Sequence, residues 1–453
     1  LLDLITIARS RKHIEKYYDT ANIGKFPERN KPITLKPDID LMGKFPPLSE
    51  INKTIRRLTL SSYSPLKYVY PHKKEEYDTK YDIELGEGRV FKQTDRENSL
   101  IHLMRVNLLK RMESSINSFS QTVQKLIDNN LQLIEMIDNH NDNIYENVSI
   151  IDIDLDNEDF ANQLIGNKVK VLIGDIDKIR WKQDLESDLE KLQELLNYSS
   201  NVDNTRDKKL ITLKENISKK INNPINPNNK KVIVFTAFAD TAEYLYSNIS
   251  TWAKNEFGIE SCLITGSGNN KTTIDTKNKD LNSLLTDFSP ISKERDKTGN
   301  CNSKEIDILI ATDCISEGQN LQDCDYLINY DIHWNPVRII QRFGRIDRLG
   351  SKNEKIQLVN FWANMELDEY INLESKVSGR MVLLDVSATG EENIIDTTNT
   401  KEMNDLSYRA KQLKELQDTV IDLEDVSGGI SITDLTLNDF RMDLTNYLKE
   451  NEE

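Results

Sequence analysis

Five short apolar runs between residues 231 and 361 restrict the fold of this chain more than any other feature. They are KVIVF (231–235), CLI (from 262), IDILIA (from 306), DYLINY (from 325) and IQLVNF (from 356). Each is too short for an ordinary helix and too continuously apolar for a strand with one wet face. Each therefore reads as a strand buried on both sides. Between the first two runs, Leu245, Ile249 and Trp252 fall on one face of a helical stretch. Strands alternating with helices predict an α/β unit, a parallel sheet with helices on both faces. Ligands of such sheets sit at the carboxyl ends of the strands, where the loops emerge.

The rest of the chain is patterned differently. Residues 1–98 are broken by prolines at 27, 32, 37, 46, 47, 65 and 71 and read as connecting structure with short helices such as LSEINKTIRRLTL. From Leu109 the apolar positions run Leu109, Met112, Ile116, Phe119, Val123 and Leu126, continued by Leu133 and Ile137. These alternating steps of three and four form a heptad seam and predict one long packed helix. The acidic, Asn-rich DNHNDNIYENVSIIDIDLDNEDF reads as a solvated loop, and DLESDLEKLQELL and KKLITLKENISKKI as two further helices. Residues 99–222 thus form a helical insertion: a structural protrusion, or alternatively a coiled coil that binds a protein partner. NNPINPNN (222–229) is a linker by composition. The α/β unit occupies 223–365, and 366–453 returns to helical patterning as a C-terminal extension.

Charge narrows the function classes. The net charge of −16 argues against wholesale wrapping of nucleic acid. Between Asp331 and Lys352, however, five basic residues face two acidic ones, a local charge of +3. Four cysteines without a CxxC pair and five scattered histidines give no zinc spacing, so no metal site is expected. Buried neutral thiols in a reducing cytoplasm are the simplest reading. No run of eighteen apolar residues marks a membrane span. The start, LLDLITIARSRKHIEKYY, has neither an initiator methionine nor a small-residue cleavage site and reads as the interior of a longer protein.

Two blocks carry chemistry. ATDCISEGQNLQD (311–323) follows the strand IDILI, placing Thr312 and Asp313 at its end, with Gly318 permitting close backbone approach to a ligand. QRFGRIDRLG (341–350) spaces Arg342, Arg345 and Arg348 three apart. On a helix, Gln341, Arg345 and Arg348 would share one face. Planar guanidiniums so placed can contact several oxygens of a phosphoryl group. Such a face alone is commonly a solvated surface; its position after a strand-terminal TD…G block favours the anion.

ATDCISEGQN resembles motif V of superfamily 2 helicases, and QRFGRIDR resembles motif VI, Q-x-x-G-R-x-x-R. KVIVFTAF is similar to motif IV, and LITGS to the threonine-glycine turn that follows it. The phrase SEGQNLQDCDYLINYDIHWNPVRIIQRFGRIDRLGS, with Trp334, Asn335 and Pro336 before motif VI, resembles the SWI/SNF-type branch near the bacterial RapA-like ATPases. LLDLITIARSRKHIEKYY is similar to the segment closing the first motor lobe of that family, so 1–98 would be its tail and a connector. The motif-dense match covers about 231–362.

The resemblance implies a RecA-like helicase C-terminal lobe that faces a first RecA-like lobe of the same polypeptide, with ATP and Mg²⁺ between them. No GxxxxGK[ST] occurs; IGKF and MGKF are chance dipeptides, and LDEY at 367 follows motif VI. The metal and triphosphate would be held mainly by the other lobe. Arg345 and Arg348 fall on the arginine-finger positions, Gly318 would approach the γ-phosphate, and Asn320 stands where relatives place a ribose-facing aspartate. Gln341 would couple to the opposite lobe, while Asp313, Glu317 and Arg342 support the two motifs. Thr265, Gly266 and Thr312 match positions that meet nucleic-acid phosphates, and Trp334 reads as packing beside Pro336. The expected function is a double-stranded DNA translocase, a DNA-dependent ATP hydrolase of bacterial type. A truncated regulatory binding module without ATPase activity, or a strand-separating RNA helicase, are the alternatives.

Overall fold

Val232 and Val234 point to one side of their strand and Ile233 and Phe235 to the other, all four buried, and this alternation divides the core into two layers. The computed structural model describes residues 24–84, 90–140, 147–149, 170–266, 268–276, 278–297, 304–315, 318–332, 336–362 and 420. The elements in chain order begin with β1 (Glu28–Arg29), β2 (Ile33–Leu35), α1 (Leu48–Arg57), α2 (Pro71–Tyr81), β3 (Ile83–Glu84) and β4 (Val90–Phe91). Next come α3 (Gln93–Ser114), α4 (Ile116–Asn139), β5 (Asn147–Ser149), β6 (Lys170–Leu172), α5 (Lys178–Ser200) and α6 (Lys208–Asn222). The α/β part continues with β7 (Val232–Phe235), α7 (Ala239–Phe257), β8 (Glu260–Ile264), β9 (Lys271–Thr272) and α8 (Leu281–Phe288). It closes with β10 (Ile306–Ala311), β11 (Tyr326–Asn329), α9 (Pro336–Phe343) and β12 (Lys355–Phe361).

The main sheet runs β1-β12-β11-β7-β10-β8-β9, with β2 also paired to β12. Every pairing in it is parallel except β8 with β9. On one face α6 and α7 bury Leu213, Ile217, Leu245 and Ile249 against Val232, Val234, Ile310 and Ile328. On the other, α8 and α9 bury Leu284, Phe288 and Phe343 against Ile233, Phe235, Leu309 and Leu358. The expected α/β fold, a RecA-like lobe with helices on both faces, is what the residues build. From β7 the chain goes to β8 on one side, returns to β10, then crosses β7 to β11 and moves out to β12 on the other. The carboxyl end of β7 is therefore the switch point where ligands of such sheets bind.

Outside the sheet, several elements differ from their sequence-based expectation. The single long helix is two: α3 ends and α4 begins on either side of Ser115, whose backbone is extended. Its hydroxyl accepts the amide of Asn117 at 3.2 Å and caps α4. The steps Met112, Ile116, Phe119 keep the heptad rhythm across the break, which is why spacing alone missed it. These helices pack with α1 and α5 around Phe119, Val123, Trp181 and Leu185. The helix α6, grouped by sequence with the insertion, packs on the sheet. Part of the acidic stretch forms β5, antiparallel to β6, and its residues from 150 lie outside the described residues.

NNPINPNN is no slack linker. The Asn226 amide donates to Asp325 Oδ2 and to the Lys355 carbonyl, both at 2.7 Å, and its oxygen accepts from the Glu354 and Lys355 amides. The N-terminal segment, read as connector, adds β1 and β2 to the edge of β12. Arg29 binds Asp347 with Nη2 at 2.6 Å, and Gly350 donates to the Lys25 carbonyl at 3.2 Å. Gly24 has φ +94, and a Cβ there would sit 2.8 Å from the Cα of Gly350, so only glycine fits this crossing. The helical extension over 366–453 and the LLDLITIARSRKHIEKYY segment lie outside the described residues, apart from Val420, which packs on the second face of the sheet.

Candidate functional site

The carboxyl edge of the sheet gathers most of the polar residues singled out in the sequence. Arg342, on the last turn of α9, is fully buried. Its Nε and Nη2 donate to the two oxygens of Asp313, at 2.6 and 2.8 Å, in a forked pair. Nη1 adds Asn329 Oδ1 at 3.0 Å and the Asp331 carbonyl at 3.3 Å, and the guanidinium lies 5.3 Å from the Phe235 ring centre. Burial opposes its charge, but Asp313 more than offsets this and raises its pKa. Arg342 thus ties α9 to the ends of β10, β11 and β7 and faces the interior of the fold.

Arg345 and Arg348 do not share a helix face with Gln341. The helix stops at Phe343, because the bonds shift from Gly344 N to Ile340 O toward tighter ones, Arg345 N to Arg342 O and Ile346 N to Phe343 O. A Cβ on Gly344 would press at 3.4 Å on the carbonyls of Ile340 and Gln341. The two arginines therefore leave the helix end in successive turns. Arg345 donates to the Gln341 carbonyl and, with Nη1, to the Gln319 carbonyl, both at 3.1 Å. Arg348 donates to the Gly344 carbonyl at 3.2 Å and borders an open recess of about 470 Å³ with Phe26, Asn320, Gln322, Gly344 and Asp347. Burial lowers the pKa of Arg348. Gly318 is exposed with φ +71, the left-handed conformation of the motif V turn. The Oε1 of Gln341 is buried without a hydrogen-bond partner among the described residues.

A second group forms one strand further along. Ile264 and Ala311 are register partners at the ends of β8 and β10, so Thr265 and Thr312 emerge side by side, and Thr312 N donates to the Ile264 carbonyl at 3.1 Å. Both threonines are buried and Gly266 is exposed. Cys314 lies between them: its Cβ is 3.8 Å from where a Gly266 Cβ would be, and its sulfur accepts from Thr312 Oγ1 at 3.4 Å. Cys262 and Cys324 are buried thiols, but Cys314 is exposed, against the expectation of burial for all. Cys301, Glu317, Trp334 and Asn335 lie outside the described residues.

Sequence reasoning passed over several residues here. Asp331, ending the strand NY, accepts from Thr236 Oγ1 at 2.5 Å, Ser114 Oγ at 2.6 Å and Ala237 N at 2.8 Å. Lys293, from the loop after α8, donates to Gln319 Oε1 at 2.5 Å. A strand-terminal Thr and Asp at 236 and 331 were available signals; for Lys293 the sequence offers none. Magnesium prefers oxygen ligands, carboxylates above all. At this edge Asp313 is engaged by Arg342 and Asp331 by three donors, and no cluster suited to a metal ion occurs among the described residues. The described residues do not fit a magnesium site.

Comparison with known proteins finds likenesses over this part of the chain. Residues 208–350 match the helicase conserved C-terminal domain. Over 67 residues the chain is 45% identical to the uncharacterized ATP-dependent helicase YqhH of Bacillus subtilis (strain 168), covering 15% of this chain and 12% of that protein. Over 101 residues it is 27% identical to the DEAD-box ATP-dependent RNA helicase RhpA of Helicobacter pylori (strain B128), covering 22% and 20%. The matched segments thus span a fifth or less of these curated relatives. Among solved structures, the helicase domain of Pyrococcus furiosus Hef aligns at TM-score 0.38 and 15% identity, covering 81% of this chain and 60% of that one. The C-terminal part of the Fun30 ATPase domain aligns at TM-score 0.31 and 17% identity, covering 81% and 100%.

Proposed function

We propose that this chain, whose residues 208–350 form the C-terminal lobe of a superfamily 2 helicase, supplies the arginine-bearing half of an ATP-driven motor that tracks along double-stranded DNA in a bacterial cytoplasm. One observation carries the reading. Of three arginines spaced three apart, Arg342 is sealed into the fold by Asp313, while Arg345 and Arg348 leave the helix end and turn toward the motif V loop. Such a division suits two side chains that meet a phosphoryl group carried by a facing lobe, since this sequence has no phosphate-cradling GxxxxGK[ST].

In this reading the γ-phosphoryl group passes to water, and Arg345 and Arg348 stabilise the charge that spreads over its oxygens. The Gly318 turn approaches the same group, Asn320 faces the ribose, and Gln341 couples the motif to the facing lobe. Thr265, Gly266 and Thr312 touch backbone phosphates, contacts that hold position without reading sequence. SWI/SNF-type membership rests on the W-N-P that precedes motif VI.

In the complete protein, Arg345→Ala and Arg348→Ala should each slow hydrolysis by about 10³ to 10⁵ while nucleotide affinity stays near wild type. Lysine should not restore either, for want of the planar fork. Steady-state turnover and equilibrium nucleotide binding decide it: affinity and turnover falling in proportion would make these ground-state binders and remove the finger assignment. The likeness to an RNA helicase favours a second reading, an RNA-directed strand separator, which the choice of track distinguishes.

A further inference from the structure

Two cationic side chains meet on Gln319, Arg345 from the motif and Lys293 from outside it, and Arg348 lies near enough to act on the lysine. Arg345 Nη1 donates to the Gln319 carbonyl at 3.1 Å, and Lys293 Nζ to the Gln319 side-chain oxygen at 2.5 Å. Arg348 is close enough to Lys293 for its charge to act on it: burial first, then Arg348, lowers the lysine pKa. Among the described residues no carboxylate lies within ion-pair distance of either Lys293 or Arg348. The two are half-buried cations near each other, with no counter-charge paired to either among the described residues. Like charges held together in this way destabilise the unliganded fold unless an anion joins them.

Lys293 is held in place by a built loop. Asp323, at the end of the motif V segment, accepts from the amides of Ile291 and Ser292 at 2.7 and 2.9 Å. Ser292 Oγ reaches the Asn320 carbonyl at 3.4 Å, and Glu294 completes the turn in the left-handed region at φ +50. The residues just before Lys293 are therefore fixed to the segment that carries Gly318 and Asn320. A loop needed only for connection has no reason to hold a lysine on Gln319, the residue that Arg345 also binds.

We propose that Lys293 is a third cation of this anion site, a contact for the terminal phosphates of a nucleoside triphosphate alongside Arg345 and Arg348. The proposal rests on the motor-lobe reading. A point charge on a flexible stem complements the two planar guanidiniums. It recognises the extra charge of a triphosphate over a diphosphate.

The test uses the complete protein with fluorescent ATP and ADP analogues, comparing wild type with Lys293→Met, Lys293→Gln and Lys293→Arg. Methionine removes both the charge and the bond to Gln319; glutamine keeps a neutral donor there. Both should lose roughly tenfold in the preference for ATP over ADP, the scale of one charge-assisted hydrogen bond, and arginine should keep most of it. Glutamine with wild-type discrimination, or methionine weakening both nucleotides equally, would reduce Lys293 to a loop bracket and overturn the proposal. Weakened DNA affinity with unchanged nucleotide affinity would overturn it too, by assigning the charge to the track. Wild-type protein that binds no nucleotide sinks the motor reading itself, a result distinct from these.

Discussion

At the scale of single residues, three arginines of one motif separate into two kinds of work. Arg342 has no exposed surface and its guanidinium bonds Asp313, Asn329 and the Asp331 carbonyl inside the fold. Truncating it leaves a carboxylate and an amide oxygen facing a void in a largely dry place. Breaking such a pair from one side destabilises by on the order of 3 kcal/mol. Arg345 is half-buried and donates to the Gln341 and Gln319 carbonyls at the rim, so its loss should destabilise less than that of Arg342. Urea denaturation of Arg342→Ala and Arg345→Ala checks this. Equal destabilisation would mean that the motif's arginines are all structural. The contrast was invisible in QRFGRIDRLG, where the three are chemically alike. What separates them is the helix end at Phe343, which keeps Arg342 over the sheet and swings the next two clear of it.

At the scale of elements, the joints hold the surprises. Asp40 accepts from Arg206 Nη2 at 2.6 Å and Nε at 3.1 Å, and from the amides of Lys44 at 2.8 Å and Met42 at 3.1 Å. It clasps the N-terminal segment to the corner between α5 and α6. Burial alone would raise its pKa, but Arg206 and the two amides hold it down to about 2, against an ordinary 3.8. A carboxylate depressed by folding adds stability above its unfolded value, and that stability is lost as pH falls from 3.8 toward 2. Asp40→Asn should therefore be less stable at neutral pH but flatter through that window, measured as urea midpoints from pH 5 to 2. Identical pH dependence in the two proteins would show that the clasp contributes nothing. The strands β7, β8, β10, β11 and β12 were legible because burial on both faces leaves a mark in each run, KVIVF to IQLVNF. Ser115 was not, since an N-cap is one hydroxyl and the heptad steps continue across it. NNPINPNN misled because composition reports turn propensity and is silent on the four bonds that Asn226 makes. Motif spacing placed Thr265 beside Thr312 through strand register, whereas Lys293 is close to Gln319 only through folding of a loop without pattern.

At the scale of the molecule, the helical part and the sheet meet at the edge where the arginines lie. Ser114, at the end of α3, shares Asp331 with Thr236. Lys209, its pKa lowered by burial, caps the Glu113 and Ser114 carbonyls 4.2 Å from the Tyr330 ring centre. Arg111 pairs with Asp240 at the start of α7. In the proposed motor such rigid seams would let closure at the nucleotide move the whole body. The expected track is duplex DNA, followed without separating the strands. LITGSGNN and ATDCISEGQN, which carry Thr265, Gly266 and Thr312, contain no aromatic residue, whereas proteins that grip single strands commonly stack bases on aromatic rings. Small hydroxyl and backbone groups suit phosphates instead. With a net charge of −16, productive contact is confined to a narrow positive zone, and binding should weaken steeply as salt rises. The deciding measurement sets triplex displacement on duplex DNA beside unwinding of a forked duplex, each in its DNA and RNA forms, with ATP turnover recorded in parallel. Triplex displacement with duplex-DNA-stimulated turnover is the expected outcome. Efficient fork unwinding without displacement, or stimulation by RNA alone, replaces the translocase with a strand-separating helicase of the kind its RNA-helicase relative is named for.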